Sequence, residues 1–179
     1  MLSAPSAFSA VNTHIFKMPR VFVGIGSNID RENNIRGAVR ELAAQYGPLT
    51  LSPVYESKSV GFNGGNFYNL VAGFDTEESI EHIKEKLSHV ESRFGRTRQE
   101  NRFSARTLDL DLLLYDDIVR HDSQVNLPHP DIQRYAFVLR PLAYIAPDLR
   151  HPETGSAYAE MWKQFNKAKQ DIWTVDFEF

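Results

Sequence analysis

The sequence predicts an α+β domain with a ferredoxin-like core, in which strands and helices follow the order β-α-β-β-α-β around an antiparallel sheet. Three observations lead to this prediction. Segments with alternating apolar residues are separated by two segments in which apolar residues recur at helical spacing. A glycine ends each of these two predicted helices, and no low-complexity linker divides the chain. We expect the two helices on one face of the sheet and shorter helical additions toward the C-terminus.

The first half of the core is predicted as a strand, a helix and two further strands. Residues 20–25 alternate and are rich in Val and Ile. Gly26-Ser27-Asn28 lacks the Lys-Ser/Thr of a phosphate-binding loop and is interpreted as a turn into a helix that Gly47-Pro48 ends. Residues 49–55 and 66–74 are strand candidates. The stretch between them contains three glycines, which predicts a mobile loop.

The second half is predicted as a helix and a strand, followed by short helical segments. Thr76 is the predicted cap of a helix that keeps one apolar face until Gly95. Residues 108–115 form the predicted fourth strand, with leucines at alternate positions. The remaining chain is expected to form helical segments, the last of them over 157–165. Two prolines are expected to break these segments: Pro141 and Pro147.

Composition limits the classes of function. We expect one domain over 18–179, preceded by a small, polar tail over 1–17 that lacks the apolar run of a signal peptide. A formal charge of −3 argues against a general nucleic-acid binder, and the absence of cysteine excludes disulfides and thiolate zinc sites. No run approaches the ~20 apolar residues of a membrane helix. The sequence therefore predicts a cytoplasmic protein that binds neither nucleic acid nor membranes, with a monomer as the working expectation.

Asp109 and Asp111 form the most specific candidate for a metal-binding site. Residues two apart in a strand share a face, so Leu108, Leu110 and Leu112 are expected to point into the core. The two aspartates then point to the opposite side. Magnesium takes one or two carboxylates and completes its shell with water and phosphate oxygens. For an isolated Asp-x-Asp pair, the alternative is a solvated strand face.

The loop before this strand is rich in arginine. Five arginines lie between residues 93 and 106 against a single glutamate, although the whole chain is negatively charged. Guanidinium groups pair with phosphate oxygens in a bidentate way, and a magnesium ion neutralises the same phosphates from the other side. These features favour a phosphoryl-transfer site, with an exposed charged loop as the alternative. The arginines are Arg93, Arg96, Arg98, Arg102 and Arg106.

Several further residues have both a ligand-binding and a structural interpretation. Glu91, at the edge of an apolar helix face, either pairs with an arginine or accepts a hydrogen bond from a ligand. Phe67 and Asn69 share the non-core face of the third strand, where they suit a flat nitrogen heterocycle or simply pack. Phe137 is a candidate second stacking ring. His129, held extended between two prolines, either faces a phosphate or is an ordinary loop residue.

Taken together, these segments resemble the 6-hydroxymethyl-7,8-dihydropterin pyrophosphokinase family of folate biosynthesis. The most specific string runs from Arg106 to Tyr115 and reads Arg-Thr-Leu-Asp-Leu-Asp-Leu-Leu-Leu-Tyr. The resemblance extends over about residues 20 to 150. The supporting motifs are Ile25-Gly26-Ser27-Asn28, Tyr68-Asn69, Leu127-Pro128-His129-Pro130, Ala136-Phe137-Val138-Leu139-Arg140-Pro141-Leu142 and Ile145-Ala146-Pro147.

The resemblance implies transfer of diphosphate from ATP to the pterin alcohol, with release of AMP. It implies two magnesium ions held by Asp109 and Asp111, and charge neutralisation by Arg96 and Arg106 during attack on the β-phosphorus. The general base is left unassigned. The implied pterin contacts are Ser57, Val60, Phe67, Asn69, Phe103 and Phe137. The implied nucleotide contacts are Glu91, Arg98, Arg102, Arg106, Leu112, His129 and Arg134.

The sequence departs from the family pattern at three places. Phe103 lies where some members carry a tryptophan that closes the pocket. Tyr135 lies where an arginine is usual, and Arg134, one position earlier, is the candidate substitute. The glycine-rich loop lacks the prolines common after the second strand, so this loop is expected to be more mobile.

Two other functions fit parts of the pattern. A ferredoxin-like sheet also serves as an RNA-binding module, but such modules need an aromatic-basic strand motif that this sequence lacks. An ordinary kinase would transfer only the γ-phosphate. It would release ADP, so the released nucleotide distinguishes it from a pyrophosphokinase.

Overall fold

The computed structural model describes residues 18–61, 64–95 and 107–179. Within these ranges the chain forms an α+β domain with an antiparallel main sheet, which confirms the predicted class. Residues 1–17, predicted as an N-terminal tail, lie outside the described residues. No helix in the described part of the chain is long and apolar enough to cross a membrane.

The main sheet has the strand order β5-β1-β4-β3-β8, and β2 also pairs with β4. A separate hairpin is formed by β6 and β7. The strands are β1 (Arg20–Ser27), β2 (Thr50–Leu51), β3 (Tyr55–Ser57), β4 (Phe67–Asp75), β5 (Asp109–Tyr115), β6 (Arg120–His121), β7 (Asn126–Leu127) and β8 (Ile172–Thr174). The helices are α1 (Arg31–Tyr46), α2 (Ile80–Arg93), α3 (Asp131–Arg134), α4 (Ala136–Ile145) and α5 (Tyr158–Gln164). A 3-10 turn covers Lys167–Lys169.

The strands differ from the prediction at two places. The predicted second strand is divided into β2 and β3, because Pro53 has no N–H for the sheet. Ser52 maintains the pairing there, since its Oγ accepts a hydrogen bond from the backbone N–H of Val71 at 3.0 Å. Strand β1 is longer than predicted, because Gly26 and Ser27 still pair with β4.

The helices also differ in detail. The cap of α2 is Ser79 and not Thr76, because Ser79 Oγ accepts a hydrogen bond from the N–H of His82 at 3.3 Å. Thr76 Oγ1 instead accepts from Glu78 in the preceding turn. The predicted break at Pro141 is wrong, since α4 continues through it. The buried apolar face of α4 stabilises the helix across the proline; it includes Leu139, Leu142 and Ala143.

Apolar clusters cover both faces of the sheet. Helices α1 and α2 pack on the face that carries the predicted core residues of β4 and of the Leu108–Leu112 segment. These residues are Tyr68, Leu70, Ala72, Phe74, Leu108, Leu110 and Leu112. Helices α4 and α5 pack against the second cluster, which includes Phe22 and Val71. An irregular register in β5 places both Leu113 and Leu114 in this second cluster, which strict alternation does not predict.

His151 is a buried histidine beside the second cluster, with 1% of its surface exposed. Its Nδ1 accepts hydrogen bonds from the N–H groups of Glu153 at 3.2 Å and Thr154 at 3.4 Å. Burial lowers the pKa of His151, and the nearby Glu153 carboxylate opposes this effect only in part. The fold therefore favours the neutral imidazole.

We expect this histidine to make the stability depend on pH. A histidine whose pKa is lowered by folding contributes fully above its unfolded pKa of about 6.5, and its contribution is lost as the pH falls below that value. In His151→Asn, the amide oxygen keeps the acceptor but cannot be protonated. The variant should therefore lose less stability than the wild type between pH 8 and pH 5.5, measured as urea midpoints. His89→Asn, at an exposed position on α2, is the control. Equal pH dependence in wild type and His151→Asn would contradict the assignment.

Candidate active site

Three residues from three neighbouring strands form a row across the sheet. Gly26 of β1 pairs with Asn69 of β4 on one side and with Asp109 of β5 on the other. Directly opposed residues in antiparallel strands have Cβ atoms about 4.5–5.5 Å apart, so the three positions are adjacent. We call these residues the Gly26 row. It brings the amide predicted to read the pterin close to a carboxylate predicted to bind metal.

The missing side chain of Gly26 leaves space between these two groups. A Cβ at Gly26 would lie 3.3 Å from Asn69 Oδ1 and 3.9 Å from Asp109 Cβ. It would also lie 4.0 Å from Phe67 Cδ1. Among the residues that the structure describes, Asn69, Asp109 and Phe67 are therefore the side chains nearest to this position on the sheet. These three side chains are candidate site residues from the sequence, whereas Gly26 was interpreted only as part of a turn.

Asp109 and Asp111 lie on one face of β5, as predicted, with Leu110 buried between them on the other face. Asp109 is half-buried and Asp111 is exposed. On the neighbouring strand β1, each aspartate faces a glycine, namely Gly26 or Gly24. No β1 side chain therefore stands beside either carboxylate. A Cβ at Gly24 would already meet the Leu113 side chain at 3.5 Å, so Gly26, next to Asp109, is the position of interest for a ligand.

This donor set fits magnesium. Two carboxylates on a rigid strand match the one or two that the ion takes from a protein, with phosphate oxygens and water as its other ligands. Within residues 18–61, 64–95 and 107–179, no group of three or more His, Cys, Asp or Glu side chains is placed to hold a metal. A site of the predicted kind needs only Asp109 and Asp111 from the protein.

The start of β5 is fixed by residues that sequence analysis did not assign to the site. Ser27 is fully buried, and its Oγ donates to the carbonyl oxygen of Thr107. The side-chain amide of Asn34 on α1 donates to the same oxygen at 2.9 Å. These contacts hold the backbone two residues before Asp109. The segment that was interpreted only as a turn thus helps to position β5, the strand that carries the candidate metal carboxylates.

Glu91 holds the other edge of β5. Its Oε1 accepts a hydrogen bond from the N–H of Leu110 at 2.8 Å, and the residue is 8% exposed. Because β5 is an edge strand, this N–H points away from the sheet and needs such a partner. Glu91 therefore has a structural partner that neither sequence interpretation named, a backbone N–H rather than an arginine or a ligand. A contact between Glu91 and nucleotide stays a prediction.

A cavity of about 350 Å³ lies along this outer edge, between α2, β5 and the loop that joins β6 to β7. It is lined by four predicted site residues, namely Glu91, Asp111, Leu112 and His129. The other lining residues were not predicted site residues; Lys84 and Ser88 of α2 are among them. Asp111 thus shares one cavity with three of the predicted nucleotide residues, namely Glu91, Leu112 and His129.

The orientation of His129 is set by its backbone and its ring. Its N–H donates to the carbonyl oxygen of Leu113 at 2.9 Å, which joins the loop to β5. Its Nδ1 accepts from the N–H of Asp131 at 3.3 Å. Arg134, at the end of α3, has a side chain that is 60% exposed, and its Nη1 lies 3.9 Å from Asp131 Oδ1.

A second cavity, of about 290 Å³, contains predicted pterin residues from two walls. Ser57 and Val60 come from β3 and the following loop, and Phe137 comes from α4. Ser57 Oγ accepts a hydrogen bond from Asn69 Nδ2 at 3.0 Å, which connects this cavity to the Gly26 row. Tyr135, at the position where an arginine was expected, stacks on Phe137 with ring centroids 5.0 Å apart.

Five predicted site residues lie outside the described residues. They belong to the arginine-rich loop and were assigned to catalysis, nucleotide binding or closure of the pterin pocket. These residues are Arg96, Arg98, Arg102, Phe103 and Arg106.

Comparison with known proteins shows which family this chain resembles. The family model described as 7,8-dihydro-6-hydroxymethylpterin-pyrophosphokinase matches residues 22–147. The 2-amino-4-hydroxy-6-hydroxymethyldihydropteridine pyrophosphokinase of Aquifex aeolicus is 36% identical over 137 residues, which cover 75% of this chain and 85% of the relative. The enzyme of the same name from Synechocystis is 35% identical over 156 residues, 86% of this chain and 78% of the relative.

Solved structures give the same likeness at the level of the fold. A crystal structure of Plasmodium falciparum HPPK-DHPS matches with a TM-score of 0.67 over 85% of this chain. The identity is only 11%, and the match spans 46% of that longer chain. This likeness therefore concerns the fold alone.

Proposed function

Because the chain belongs to the 7,8-dihydro-6-hydroxymethylpterin-pyrophosphokinase family, it is an ATP-dependent diphosphokinase, and we propose that its acceptor is 6-hydroxymethyl-7,8-dihydropterin. The products are the pterin diphosphate and AMP. The Gly26 row is the observation that carries the proposal, since it joins the candidate pterin-reading amide to the candidate metal carboxylate across one glycine. We also assign the core to the ferredoxin-like arrangement.

The proposed reaction balances without a further reactant. The hydroxyl oxygen of the pterin forms a bond to the β-phosphorus of ATP, and the bond from that phosphorus to the α,β-bridging oxygen breaks. AMP leaves with the bridging oxygen, and the hydroxyl proton passes to solvent. The protein's task is to bring the hydroxyl to the β-phosphorus and to exclude competing water.

The two substrates are proposed to meet above the Gly26 row. Asn69 holds the pterin edge, and Ser57, which is hydrogen-bonded to Asn69, helps to fix that amide. Asp109 and Asp111 would hold two magnesium ions, which would supply positive charge to neutralise the ATP phosphates. Arg96 and Arg106 neutralise further charge at the β-phosphorus. The remaining pterin contacts are Val60, Phe67, Phe103 and Phe137.

The nucleotide is proposed to occupy the cavity along the outer edge of β5. Asp111, Leu112 and His129 line this cavity, so a nucleotide there has its phosphates near the metal carboxylates. The other proposed nucleotide contacts are Glu91, Arg98, Arg102, Arg106 and Arg134.

The released nucleotide tests the proposal. We expect the protein, incubated with ATP, magnesium and 6-hydroxymethyl-7,8-dihydropterin, to release AMP in a 1:1 ratio with the pterin diphosphate. Chromatography separates AMP from ADP, and a reaction without the pterin controls for ATP hydrolysis. Release of ADP would identify an ordinary kinase. Absence of any nucleotide product would mean that this pterin is not the acceptor.

A further inference from the structure

The C-terminal segment packs beside the proposed pterin cavity, although it lies beyond the residues that the family model matches. Strand β8 extends the sheet by pairing with β3, with Ile172 opposite Ser57 and Trp173 opposite Glu56. Sequence analysis predicted no strand here. We call residues 168–174 the C-terminal brace. It lines the same cavity of about 290 Å³ as Ser57, Val60 and Phe137.

Gln170 connects the brace to α4. Its Oε1 accepts a hydrogen bond from the N–H of Ala136 at 2.8 Å, and its Nε2 donates to the carbonyl oxygen of Arg134 at 2.8 Å. The first N–H groups of a helix have no partner within that helix, so the amide of Gln170 acts as a cap from a distant part of the chain. Both contacts flank Tyr135, whose ring stacks on Phe137.

The other side of the brace connects to β3 and the glycine-rich loop. Asp171 Oδ2 lies 3.0 Å from Lys58 Nζ at the start of that loop. Trp173 Nε1 donates to Glu56 Oε2 at 3.2 Å. The same Glu56 carboxylate accepts from Asn66 at the far end of the loop and from Arg31. The brace therefore contacts both walls of the cavity, the α4 wall through Gln170 and the β3 wall through Asp171 and β8.

We propose that Gln170 is a positioning residue for the pterin, because it fixes the start of α4 and so holds Phe137 opposite Ser57 and Val60. This proposal rests on the proposed function. According to this proposal, the C-terminal brace contributes to affinity for the pterin but not to affinity for the nucleotide, because the nucleotide cavity lies along β5. A brace that only stabilised the fold would affect both substrates alike.

Gln170→Ala separates these two roles. We expect the Kd for the dihydropterin, measured by calorimetry, to rise about tenfold, which corresponds to about 1.4 kcal/mol. The Kd for ATP with magnesium should stay within about twofold, because Gln170 contacts Arg134 only at its backbone carbonyl and not at the side chain proposed to reach a phosphate. Neither of its two partners, Ala136 and Arg134, lines the nucleotide cavity. Gln170→Glu keeps the acceptor for Ala136 but loses the donor to Arg134, so its affinity should be intermediate. Gln164→Ala, at an exposed position on α5, is the matched control.

The outcomes distinguish this proposal from the one on which it rests. If Gln170→Ala binds the pterin as tightly as the wild type, or loses affinity equally for both ligands, the positioning role is wrong. The proposed function would still stand in either case, provided that the wild type releases AMP. A wild-type protein that bound no dihydropterin would overturn the proposed function and this proposal with it. If Gln170→Ala did not fold, Gln170→Glu would replace it in the test. A larger rise in its Kd for the dihydropterin than in its Kd for ATP would support the positioning role, and equal rises would overturn it.

Discussion

Asp109→Ala is expected to lower kcat/KM for AMP formation by about a thousandfold or more. A metal bound to transferring phosphates contributes several kcal/mol to stabilisation of the transition state, and each ~1.4 kcal/mol is a factor of ten in rate. Asp109 is also the carboxylate that lies in the Gly26 row, nearest to Asn69. Its loss should therefore impair the step at which the phosphates are held beside the pterin. Asp111→Ala should cause a loss of similar size.

The measurement should separate loss of the metal from loss of the fold. Steady-state turnover at several magnesium concentrations, together with the Tm of each variant, gives both quantities. Asp111 is exposed, so its replacement should leave the Tm nearly unchanged. Asp117→Ala, at an exposed position just after β5, is the matched control and should retain full activity. An Asp109→Ala or Asp111→Ala protein that turned over normally at ordinary magnesium concentration would contradict the metal assignment.

Local patterns predicted on which face of a strand the candidate site residues lie, because strand alternation depends only on neighbours in sequence. Leu110 faces the core and the flanking aspartates face away from it. The same rule placed Tyr68 in the core and Asn69 on the other face. These predictions required no knowledge of which strands pair.

The parts that sequence analysis missed depend on pairing across the fold. The position of Gly26 between Asn69 and Asp109 follows from the registers of β1 with both its neighbours, which no local pattern encodes. Strand β8 has three residues and forms by pairing with β3, so its sequence carries too short an alternation to recognise. The cap that Gln170 supplies to α4 is equally non-local.

Tyr135 illustrates how the structure changes the meaning of a departure from the family pattern. As a sequence feature, it is only the absence of an expected arginine. In the fold its ring stacks on Phe137 at an interplanar angle of 14°, beside the proposed pterin cavity. The Tyr135 ring thus packs against Phe137, the candidate second stacking ring for the pterin. Arg134 keeps its charge at an exposed position near Asp131 and remains the proposed phosphate contact.

Gly26→Ala is expected to lower kcat/KM by about 10- to 100-fold without unfolding the protein. The new methyl group would lie 3.3 Å from Asn69 Oδ1 and would occupy the space in which the two substrates are proposed to meet. A misplacement of about 1 Å at reacting groups can cost ~10²-fold in rate.

The stability of the same variant provides the internal control. Alanine in a strand removes the entropic cost of glycine, but its methyl group requires Asn69 Oδ1 to move by a few tenths of an ångström. Because these two effects oppose each other, the Tm of Gly26→Ala should stay close to that of the wild type. Gly24→Ala is the matched variant on the same strand, because its methyl group would lie 3.5 Å from the Leu113 side chain, an ordinary contact. Its kcat/KM should change by less than about threefold, within the range of substitutions that add no strain. A Gly26→Ala enzyme with full activity would mean that the pterin hydroxyl and the β-phosphorus meet elsewhere, whereas low activity at a Tm close to that of the wild type would locate the transfer above this glycine.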